Sequence, residues 1–514
     1  MGKSKSKRKA TTALSNNAKI PKHTNALPTP PATSDSDTAV SLEPRPLASV
    51  ISPEELEITI ETLQTLAQYP ALIKSKACQP LRAAAYDFRS ACPTGLNASH
   101  AVPAHSSSSI SGLTARVSAA LADGKFVEAR IALAEMRVRG ETPKLGALCR
   151  WVRDLDVVSG LSGAKGIHGR GVNSTSEKEG FKALDAVLRV TCPIDEASPI
   201  STALGDEMIS LQPVWNLRDP MTKNPELYKA VQSGTLFASD AERAAIAAKY
   251  KIIETTPGPL RKPPNHHPAL LYTSEPSAIP LLPEQAPTAK LNKHPLVPDL
   301  HLISSVLSSD ECRAIISAGE AVNFVPDAPL KDDTDDVSIL AHNFYWVIDP
   351  PFHDALWARV RTFVPSHVNG RLARGINRRF RVYRYVPGAE YRCHIDGAWP
   401  PSGITPEGKY VYDASGPGVN AGLESANGKQ SSLFTFLIYL NDDFEGGETT
   451  FFLPSVKEGV LNAYPVKPVM GGVALFPHGD SKGALLHEGT GVRKGAKYVI
   501  RTDIEYDVEP TVTC

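Results

Sequence analysis

The sequence is poor in the features that mark secreted and membrane proteins. Its 514 residues include only seven cysteines, spread along the chain without a CxxC pair. This scattered, odd-numbered set argues against a disulfide framework and against a zinc ribbon. There is also no apolar run of the roughly 18 residues that a membrane span needs, and no apolar segment typical of a secretory signal near the N-terminus. We therefore expect a nuclear or cytosolic protein that is neither secreted nor bound to a membrane.

An overall excess of charge of one sign is absent as well. Lysines and arginines number 55, as do aspartates and glutamates, so the formal net charge is zero and names no partner. Basic residues nevertheless crowd the start of the chain, before the first acidic residue at Asp35. They are Lys3, Lys5, Lys7, Arg8, Lys9, Lys19 and Lys22. Such a run is a nuclear or nucleolar localisation signal in some proteins and a solvated tail in others, and the sequence leaves both interpretations open.

The composition changes along the chain and predicts four regions. Residues 1–50 are rich in Ser, Thr, Pro and Lys and are expected to be disordered. Residues 51–156 are predicted to be helical, beginning with a capping box at Ser52-Pro53-Glu54-Glu55. Residues 157–298 are predicted to be a linker and a Pro-rich connector with short helices, because eleven prolines fall between positions 257 and 298. Residues 299–508 are expected to form a domain of their own.

The helical region contains a recognisable hairpin. Its pattern predicts helices over Leu113–Ala122, Phe126–Val138 and Lys144–Leu155, separated by Gly-containing turns. The segment 122–151 resembles one pentatricopeptide-type repeat. A solenoid of such repeats needs about three stacked units to bury a core, so a plain helical hairpin in a small helical domain is the favoured interpretation.

The C-terminal region changes to short β-rich runs separated by Gly, Pro and Asp. The predicted strands are Asn343–Ile348, Phe380–Tyr385, Leu433–Leu440, Thr449–Phe452, Val473–Phe476 and Tyr498–Tyr506. Two helices are expected beside them, at Ser309–Val322 and around Phe352–Phe363. Many short strands without crossover helices indicate an α+β fold whose C-terminal part is a double-stranded β-helix, a jelly-roll barrel of the cupin type.

One short motif in this barrel carries a candidate metal site. His394 and Asp396 stand two positions apart, so in an extended strand both side chains point to the same face. His487 follows far downstream, and a second strand could bring it to the same place. Two imidazoles and one carboxylate on one face of an ion form the facial triad of non-haem Fe(II) oxygenases. His478 in "FPHGD" is an alternative ligand, whereas Cys393 is expected on the opposite face of its strand.

The surroundings of this motif resemble a known family. The spacing Tyr385-x-x-Gly388-x-x-Tyr391-x-x-His394-x-Asp396 is similar to that of the prolyl 4-hydroxylase group of Fe(II)/2-oxoglutarate-dependent dioxygenases. The resemblance continues through residues 435–452 and 471–506. It implies that His394, Asp396 and His487 are the catalytic iron ligands. It also implies Fe(II) as cofactor, 2-oxoglutarate and O2 as cosubstrates, and ascorbate as reductant.

The same resemblance suggests how 2-oxoglutarate is held. Its far carboxylate needs a buried cation, because an unpaired charge inside a barrel is costly. Lys497 follows His487 by ten residues, the spacing of the cosubstrate lysine in prolyl 4-hydroxylases. Arg501 faces the same way by strand parity and stays open as a rival or a second contact. Tyr439 and Tyr385 resemble residues of the cosubstrate pocket, although packing in the core would explain both equally well.

The resemblance implies hydroxylation of an unactivated C–H bond with release of succinate and CO2. The expected target is a prolyl or other side chain of a protein or peptide. Nucleic acid or a small metabolite is the alternative substrate, and an inactive barrel that serves as an interaction scaffold is a second alternative. The sequence names no oligomeric state.

Two further features lie beside the motif. A long insertion occupies residues 397–432, and its Trp399, Tyr410 and Tyr412 are hypothesised to line or close the substrate cleft. Arginines crowd positions 371–392, either as an outward strand face or as a surface for an acidic peptide or nucleic acid. They are Arg371, Arg374, Arg378, Arg379, Arg381, Arg384 and Arg392.

Overall fold

The computed structural model divides the chain into two compact units, Met1–Lys74 and Ser75–Cys514. The residues it describes are 49–73, 75–91, 112–161, 174–197, 208–221, 224–262, 264–330, 341–405, 408–413, 429–480 and 482–509. The first unit contains α1 (Pro53–Ala67) and α2 (Pro70–Ile73). The capping box predicted at the start of α1 is confirmed, since Ser52 and Glu55 each bond the other's backbone N–H. The predicted disordered tail lies, up to residue 48, outside the described residues.

The second unit begins with helices. They are α3 (Gln79–Ala91), α4 (Leu113–Ala122), α5 (Phe126–Val138), α6 (Leu145–Ser159) and α7 (Thr175–Thr191). The predicted bounds of α4 and α5 are confirmed. The linker predicted after position 156 is wrong at α7, which has its own capping box between Ser174 and Glu177. Its apolar side, including Phe181, Leu184 and Leu188, is fully buried, so packing stabilises a helix in a stretch that composition alone marked as a linker.

The remaining elements form the β-rich part of this unit. Its helices are α8 (Leu227–Gln232), α9 (Asp240–Ala248), α10 (Ser309–Val322) and α11 (Pro350–Val360). Its first strands are β1 (Ile209–Leu211), β2 (Tyr250–Thr256), β3 (Ala269–Ser274), β4 (Lys290–Lys293), β5 (His301–Ser304), β6 (Val325–Pro326), β7 (His342–Val347), β8 (His367–Val368), β9 (Arg371–Ile376), β10 (Arg379–Tyr385) and β11 (Tyr391–His394). The later strands are β12 (Ser402–Ile404), β13 (Tyr410–Tyr412), β14 (Gln430–Tyr439), β15 (Glu445–Gly446), β16 (Thr449–Pro454), β17 (Leu461–Val466), β18 (Val473–Pro477), β19 (Leu486–Gly489), β20 (Val492–Lys494) and β21 (Lys497–Asp507).

Two sheets face each other across a shared core. The larger follows the order β2-β3-β7-β10-β21-β14-β18-β5-β4, and the smaller follows β1-β17-β16-β19-β11. Between them lies a cluster to which the larger sheet gives Tyr385 and Tyr439 and the smaller gives Phe451 and Tyr464. The outer face of the larger sheet packs with α10 and α11. The outer face of the smaller sheet packs with α4–α7. The α+β fold with a jelly-roll core, expected from the sequence, is confirmed.

The Pro-rich connector was predicted wrongly. Strands β3 and β4 lie within residues 257–298, and β3 pairs with β7 in the larger sheet. The prolines stand outside these strands, at positions such as 268 and 276, where the missing N–H removes no ladder hydrogen bond. The limits of the four predicted regions otherwise stay predictions. Among the described residues, no helix combines the length and the apolar character that crossing a bilayer requires.

Candidate iron centre and cosubstrate pocket

Sheet register brings the three predicted metal ligands together. His394 ends β11 and His487 lies in β19, and these two residues are directly paired across the antiparallel ladder. Their ring centroids are 4.3 Å apart. Asp396 follows two residues after His394, beyond the end of the strand. Its Oδ1 lies 3.5 Å from His394 Nε2, and its Oδ2 lies 3.7 Å from His487 Nε2.

These separations suit one shared ion. One donor atom from each of the three residues lies within 4.8 Å of the others. Metal–ligand bonds of about 2 Å place donors on a single ion roughly 3–4 Å apart, so binding needs only small side-chain movements. Two imidazole nitrogens and one carboxylate match the donor set of the non-haem iron facial triad. Among the described residues this is the one cluster of His, Cys, Asp and Glu side chains with such spacing.

Both imidazoles present the correct nitrogen to the centre. His394 Nδ1 lies 2.7 Å from the carbonyl oxygen of Arg392, and His487 Nδ1 lies 3.1 Å from that of Leu485. A carbonyl only accepts, so each Nδ1 carries the proton and each Nε2 keeps its lone pair. Burial, reinforced by the neighbouring His394, lowers the pKa of His487 to about 3. The ring is therefore neutral, as metal ligation requires.

The carboxylate of Asp396 is held in its ionised form. Burial raises the pKa of Asp396, but the Arg501 guanidinium and His394 lower it further, to well below its usual range. Arg501 Nε lies 3.7 Å from Oδ1. On the other side, the Thr435 hydroxyl donates to Oδ2 at 2.7 Å. Thr435 was not singled out by the sequence, since a threonine in a β-rich run carries no signal of its own.

Lys497, the predicted anchor of 2-oxoglutarate, is a buried cation beside two tyrosine rings. It opens β21 and pairs in register with Tyr385 of β10. Its ammonium lies 5.8 Å from the Tyr385 ring centre and 5.7 Å from that of Tyr439. Only 4% of Lys497 is exposed, and no carboxylate of the described residues lies within ion-pair distance. Burial lowers its pKa to about 7, with Glu448 acting in the opposite direction and Lys467 in the same direction.

Arg501, the rival anchor, is already engaged. Its Nη2 donates to the carbonyl of Gly397 at 2.8 Å and lies 3.1 Å from Asp503 Oδ1. Its Nε faces Asp396, and its guanidinium carbon lies 3.9 Å from the centre of the Trp399 ring. Arg501 therefore contacts the metal ligand itself and packs on the first aromatic residue of the insertion.

Two of the three aromatic residues of the insertion, Tyr410 and Tyr412, contact the same arginine. Strands β12 and β13 form a hairpin, and the rings of Tyr410 and Tyr412 are stacked 6.5 Å apart. The guanidinium of Arg379 lies between the rings of Tyr345 and Tyr412, at 4.7 and 4.4 Å. Arg379 also donates to the Tyr410 hydroxyl. Trp399 lies apart from them, on Arg501.

Most of the arginine cluster is neutralised within the chain. Arg374, Arg381, Arg384 and Arg392 form ion pairs with Asp507, Asp327, Glu320 and Asp156, respectively. Arg371 donates to the backbone carbonyl of Asp507. The cluster is therefore chiefly an internal network around the β10 edge of the site.

The two remaining candidate ligands lie elsewhere. Cys393 packs in the core cluster between the smaller sheet and the helices, on the face away from the iron centre, and its Sγ donates to Glu488. His478 is buried, and both of its ring nitrogens contact hydroxyls, those of Ser432 and Thr435. Neither belongs to the three-residue donor group.

Comparison with known proteins identifies the domain. Residues 380–502 match the family model of the 2OG-Fe(II) oxygenase superfamily. No curated protein sequence matches the chain significantly.

Several solved prolyl hydroxylases match part of the chain. The viral collagen prolyl hydroxylase of Paramecium Bursaria Chlorella virus-1, in its 2OG complex, is 20% identical, with coverage of 41% of this chain and 97% of that one and a TM-score of 0.26. A prolyl-4-hydroxylase of Pseudomonas putida is 17% identical, with coverage of 40% and 91% and a TM-score of 0.24. A Trichoplax adhaerens prolyl hydroxylase, in complex with a hypoxia inducible factor peptide fragment, is 16% identical, with coverage of 40% and 83% and a TM-score of 0.27.

The family match covers all three ligands and Lys497, and it confirms the resemblance drawn from the motif spacing. The chain thus contains, at residues 380–502, a domain of the 2OG-Fe(II) oxygenase superfamily.

Proposed function

We propose that this protein is an Fe(II)- and 2-oxoglutarate-dependent dioxygenase that hydroxylates a side chain of a protein substrate, with proline as the favoured target. The observation that carries the proposal is the convergence of His394, Asp396 and His487 in one site, inside the matched segment. The complete donor set, with both imidazoles in the ligating tautomer, also speaks against an inactive scaffold, since a barrel used only for binding has no need of it.

Each residue has a defined part in this chemistry. Fe(II), when bound, supplies the activation of O2 that couples decarboxylation of 2-oxoglutarate, to succinate and CO2, with hydroxylation of an unactivated C–H bond. His394, Asp396 and His487 would hold the ion through two imidazole nitrogens and one carboxylate oxygen, the donor set of the facial triad. Lys497 would pair with the far carboxylate of 2-oxoglutarate, since its ammonium has no acidic partner among the described residues. Tyr439 and Tyr385 would line that pocket, and ascorbate would act as reductant.

The contacts that each cation already makes favour Lys497 over Arg501 as the partner of the 2-oxoglutarate carboxylate. The guanidinium of Arg501 is already shared among Asp396, Asp503 and the Gly397 carbonyl. A buried charge without a partner is costly, and an anionic ligand that pairs with Lys497 would offset this cost. Arg501 then acts on the iron ligand rather than on the cosubstrate.

The proposed substrate class follows from the prolyl 4-hydroxylase spacing of the motif and from the use of the arginines. The ion pairs of Arg374, Arg381, Arg384 and Arg392 consume much of the positive surface on which a nucleic-acid substrate would depend. Trp399, Tyr410 and Tyr412 supply aromatic surface near the site for a peptide. We place the activity in the nucleus or cytosol, consistent with the free thiols of Cys78, Cys149, Cys192, Cys312 and Cys393.

Succinate formation tests the oxygenase assignment. Full-length protein with Fe(II), 2-oxoglutarate and ascorbate is expected to release succinate. His394→Ala is expected to bind no iron and to release no succinate. His367→Ala is the matched control, because His367 is exposed and lies in β8, which pairs with β9 and not with a strand that carries a ligand. Wild-type protein that neither binds iron nor turns over 2-oxoglutarate would favour the scaffold.

The substrate class is tested separately. Cell extract is incubated with wild-type protein or with His394→Ala, and peptides are analysed by mass spectrometry. Proline-containing peptides that gain one oxygen atom only with the wild type support the proposal. Oxidised nucleosides or metabolites, with no modified peptide, would replace it by the alternative substrate.

A further inference from the structure

We propose that Thr435 and His478 are positioning residues for Asp396, fixed by a buried hydrogen-bonded chain that continues through Ser432 to Asp503. This inference rests on the proposed iron site and adds residues that the motif does not contain. It also gives a role to His478, which the sequence offered only as an alternative ligand.

The need for positioning arises from the backbone. His394 and His487 lie within paired strands, so the strand pairing fixes the position of both residues. Their Nδ1 atoms bond backbone carbonyls, and these bonds fix the tautomer of each ring. Asp396 follows β11, and residues 395–401 form no strand. The orientation of its carboxylate therefore depends on side-chain contacts.

Two contacts from opposite sides supply that orientation. The Thr435 hydroxyl, on β14, donates to Asp396 Oδ2 at 2.7 Å. Arg501 Nε approaches Oδ1 at 3.7 Å. Thr435 is 1% exposed, so water has little access to compete for its hydroxyl. The carboxylate is thus held between a hydroxyl and a guanidinium, each of which contacts a different oxygen.

Counting protons shows which group donates in each bond of the hydrogen-bonded chain. Thr435 has one hydroxyl proton, and the carboxylate of Asp396 can only accept it. The contact of 2.8 Å between Thr435 Oγ1 and His478 Nδ1 therefore requires an N–H on the imidazole. His478 Nε2 lies 2.9 Å from Ser432 Oγ. Both ring nitrogens therefore face hydroxyls, and neither belongs to the donor group of the iron centre.

The end of the hydrogen-bonded chain that is remote from Asp396 is also fixed by buried polar contacts. Ser432 Oγ lies 2.9 Å from Asp503 Oδ2, and the backbone N–H of Trp399 donates to both of these residues, at 3.1 and 3.2 Å. Asp503 is fully buried, and its Oδ1 lies 3.1 Å from Arg501 Nη2. Since Arg501 also faces Asp396, the network closes on the metal ligand from both ends. Such outer contacts typically change metal affinity by about 10- to 100-fold.

Titration with Co(II) alone tests this without a substrate. Co(II) stands in for Fe(II), and its visible absorption reports both affinity and ligand geometry. Thr435→Val removes the hydroxyl while keeping the shape, and is expected to weaken Co(II) binding about 10- to 100-fold and to alter the spectrum. Thr435→Ser keeps the hydroxyl and should stay within about threefold of wild type. His478→Phe should fall between the two. Thr450→Val is the control, because Thr450 is equally buried but bonds Thr490 instead.

Each result has one meaning. Wild-type affinity and spectrum in Thr435→Val, or equal loss in Thr435→Ser and Thr435→Val, overturns the positioning role. An unchanged His478→Phe removes His478 from it, and this variant also decides the matter should Thr435→Val not fold. Equal loss in Thr450→Val would mean general destabilisation and would overturn the inference. If wild type and His394→Ala alike bind no Co(II), the iron site itself is refuted, which is a different failure.

Discussion

At the scale of single residues, the ionisation of Lys497 is set by burial rather than by a paired acid. The pKa of its ammonium is lowered to about 7 by desolvation, with Glu448 opposing and Lys467 assisting the shift. A buried lysine in this state is poised to gain a full charge when an anion arrives. The sequence supplied Lys497 by spacing but could not separate it from Arg501, because both face the same way along β21. The separation comes from the contacts of the folded chain, which bring Asp396 to Arg501 and turn Asp503, two residues further along β21, toward the same guanidinium.

Removal of the charge should therefore act on the cosubstrate. Lys497→Met is expected to raise the 2-oxoglutarate concentration needed for half-maximal succinate release by about ten- to a hundredfold, the worth of a hydrogen bond to a charged group. Lys494→Met is the matched control, since the side chain of Lys494 is 79% exposed and its ammonium pairs with Glu445. The anchor role fails if both variants need the same 2-oxoglutarate concentration as the wild type.

The lowered pKa also predicts a pH dependence. Below about pH 7 the free site already holds the ammonium, whereas above it the site must take up a proton to bind the dianion. Affinity for 2-oxoglutarate is thus expected to fall with rising pH above about 7, by up to tenfold per pH unit. Lys497→Arg stays charged throughout this range and should lose the dependence, and binding can be followed by titration at each pH. An identical slope in Lys497→Arg would assign the effect to another group.

At the scale of elements, the helices beside the smaller sheet support the strand that carries His394. Asp156 of α6 is 1% exposed and forms an ion pair of 2.8 Å with Arg392 of β11. The backbone carbonyl of the same Arg392 accepts from His394 Nδ1. Cys149, also on α6, donates to the carbonyl of Ile395. The helical region thus contacts the metal-binding strand on both sides of the ligand.

Loss of this support should affect stability and metal binding together. Asp156→Asn removes the charge that Asp156 places beside Arg392 and is expected to lower the free energy of unfolding by about 1–3 kcal/mol. Co(II) affinity should decrease as well, because the Arg392 carbonyl moves with its strand. Urea denaturation and Co(II) titration measure the two effects. Asp154→Asn is the control on the same helix, where the pair with Arg153 is largely exposed and no change is expected. Reduced stability with unchanged Co(II) affinity would separate the helix from the site.

The elements that the sequence predicted well are those bounded by turn or capping residues close to them in the sequence. Asp123-Gly124 separates α4 from α5, and Gly124 has a φ of 69°, a backbone conformation that glycine adopts without strain. Helix α10 begins at the capping box of Ser308 and Glu311. Strand β3 was missed because prolines flank it and because one of its two partners, β7, lies about 70 residues downstream, where nothing local reports the pairing. Thr435 and Ser432 were missed for the same reason, since their bonds cross the barrel.

At the scale of the whole molecule, the second unit is a stack of layers rather than a barrel with appendages. Helices α4–α7, the smaller sheet, the larger sheet and helices α10–α11 follow one another, with a core cluster at each junction. The iron site lies between the two sheets, where His394 and His487 come from one and Tyr385, Tyr439 and Lys497 from the other. Because each sheet is covered by helices on its outer face, the site depends on segments far outside the matched residues 380–502.

This layering predicts which fragment folds. A chain that begins at position 299, the boundary expected from the sequence, lacks β2, β3 and β4 of the larger sheet and all of α4–α7. It would expose buried residues that the missing strands cover, such as Trp346, which packs on Tyr250 of β2, and Phe452 and Leu486 on the face that the helices cover. Exposed apolar surface of this extent leads to aggregation. Fragment 299–509 is therefore expected to be insoluble or to lack a cooperative thermal transition, whereas fragment 75–509 should unfold cooperatively and release succinate with Fe(II) and 2-oxoglutarate. A soluble, active 299–509 would show that the outer helices and early strands are dispensable, and that the iron site needs only the inner part of the two sheets.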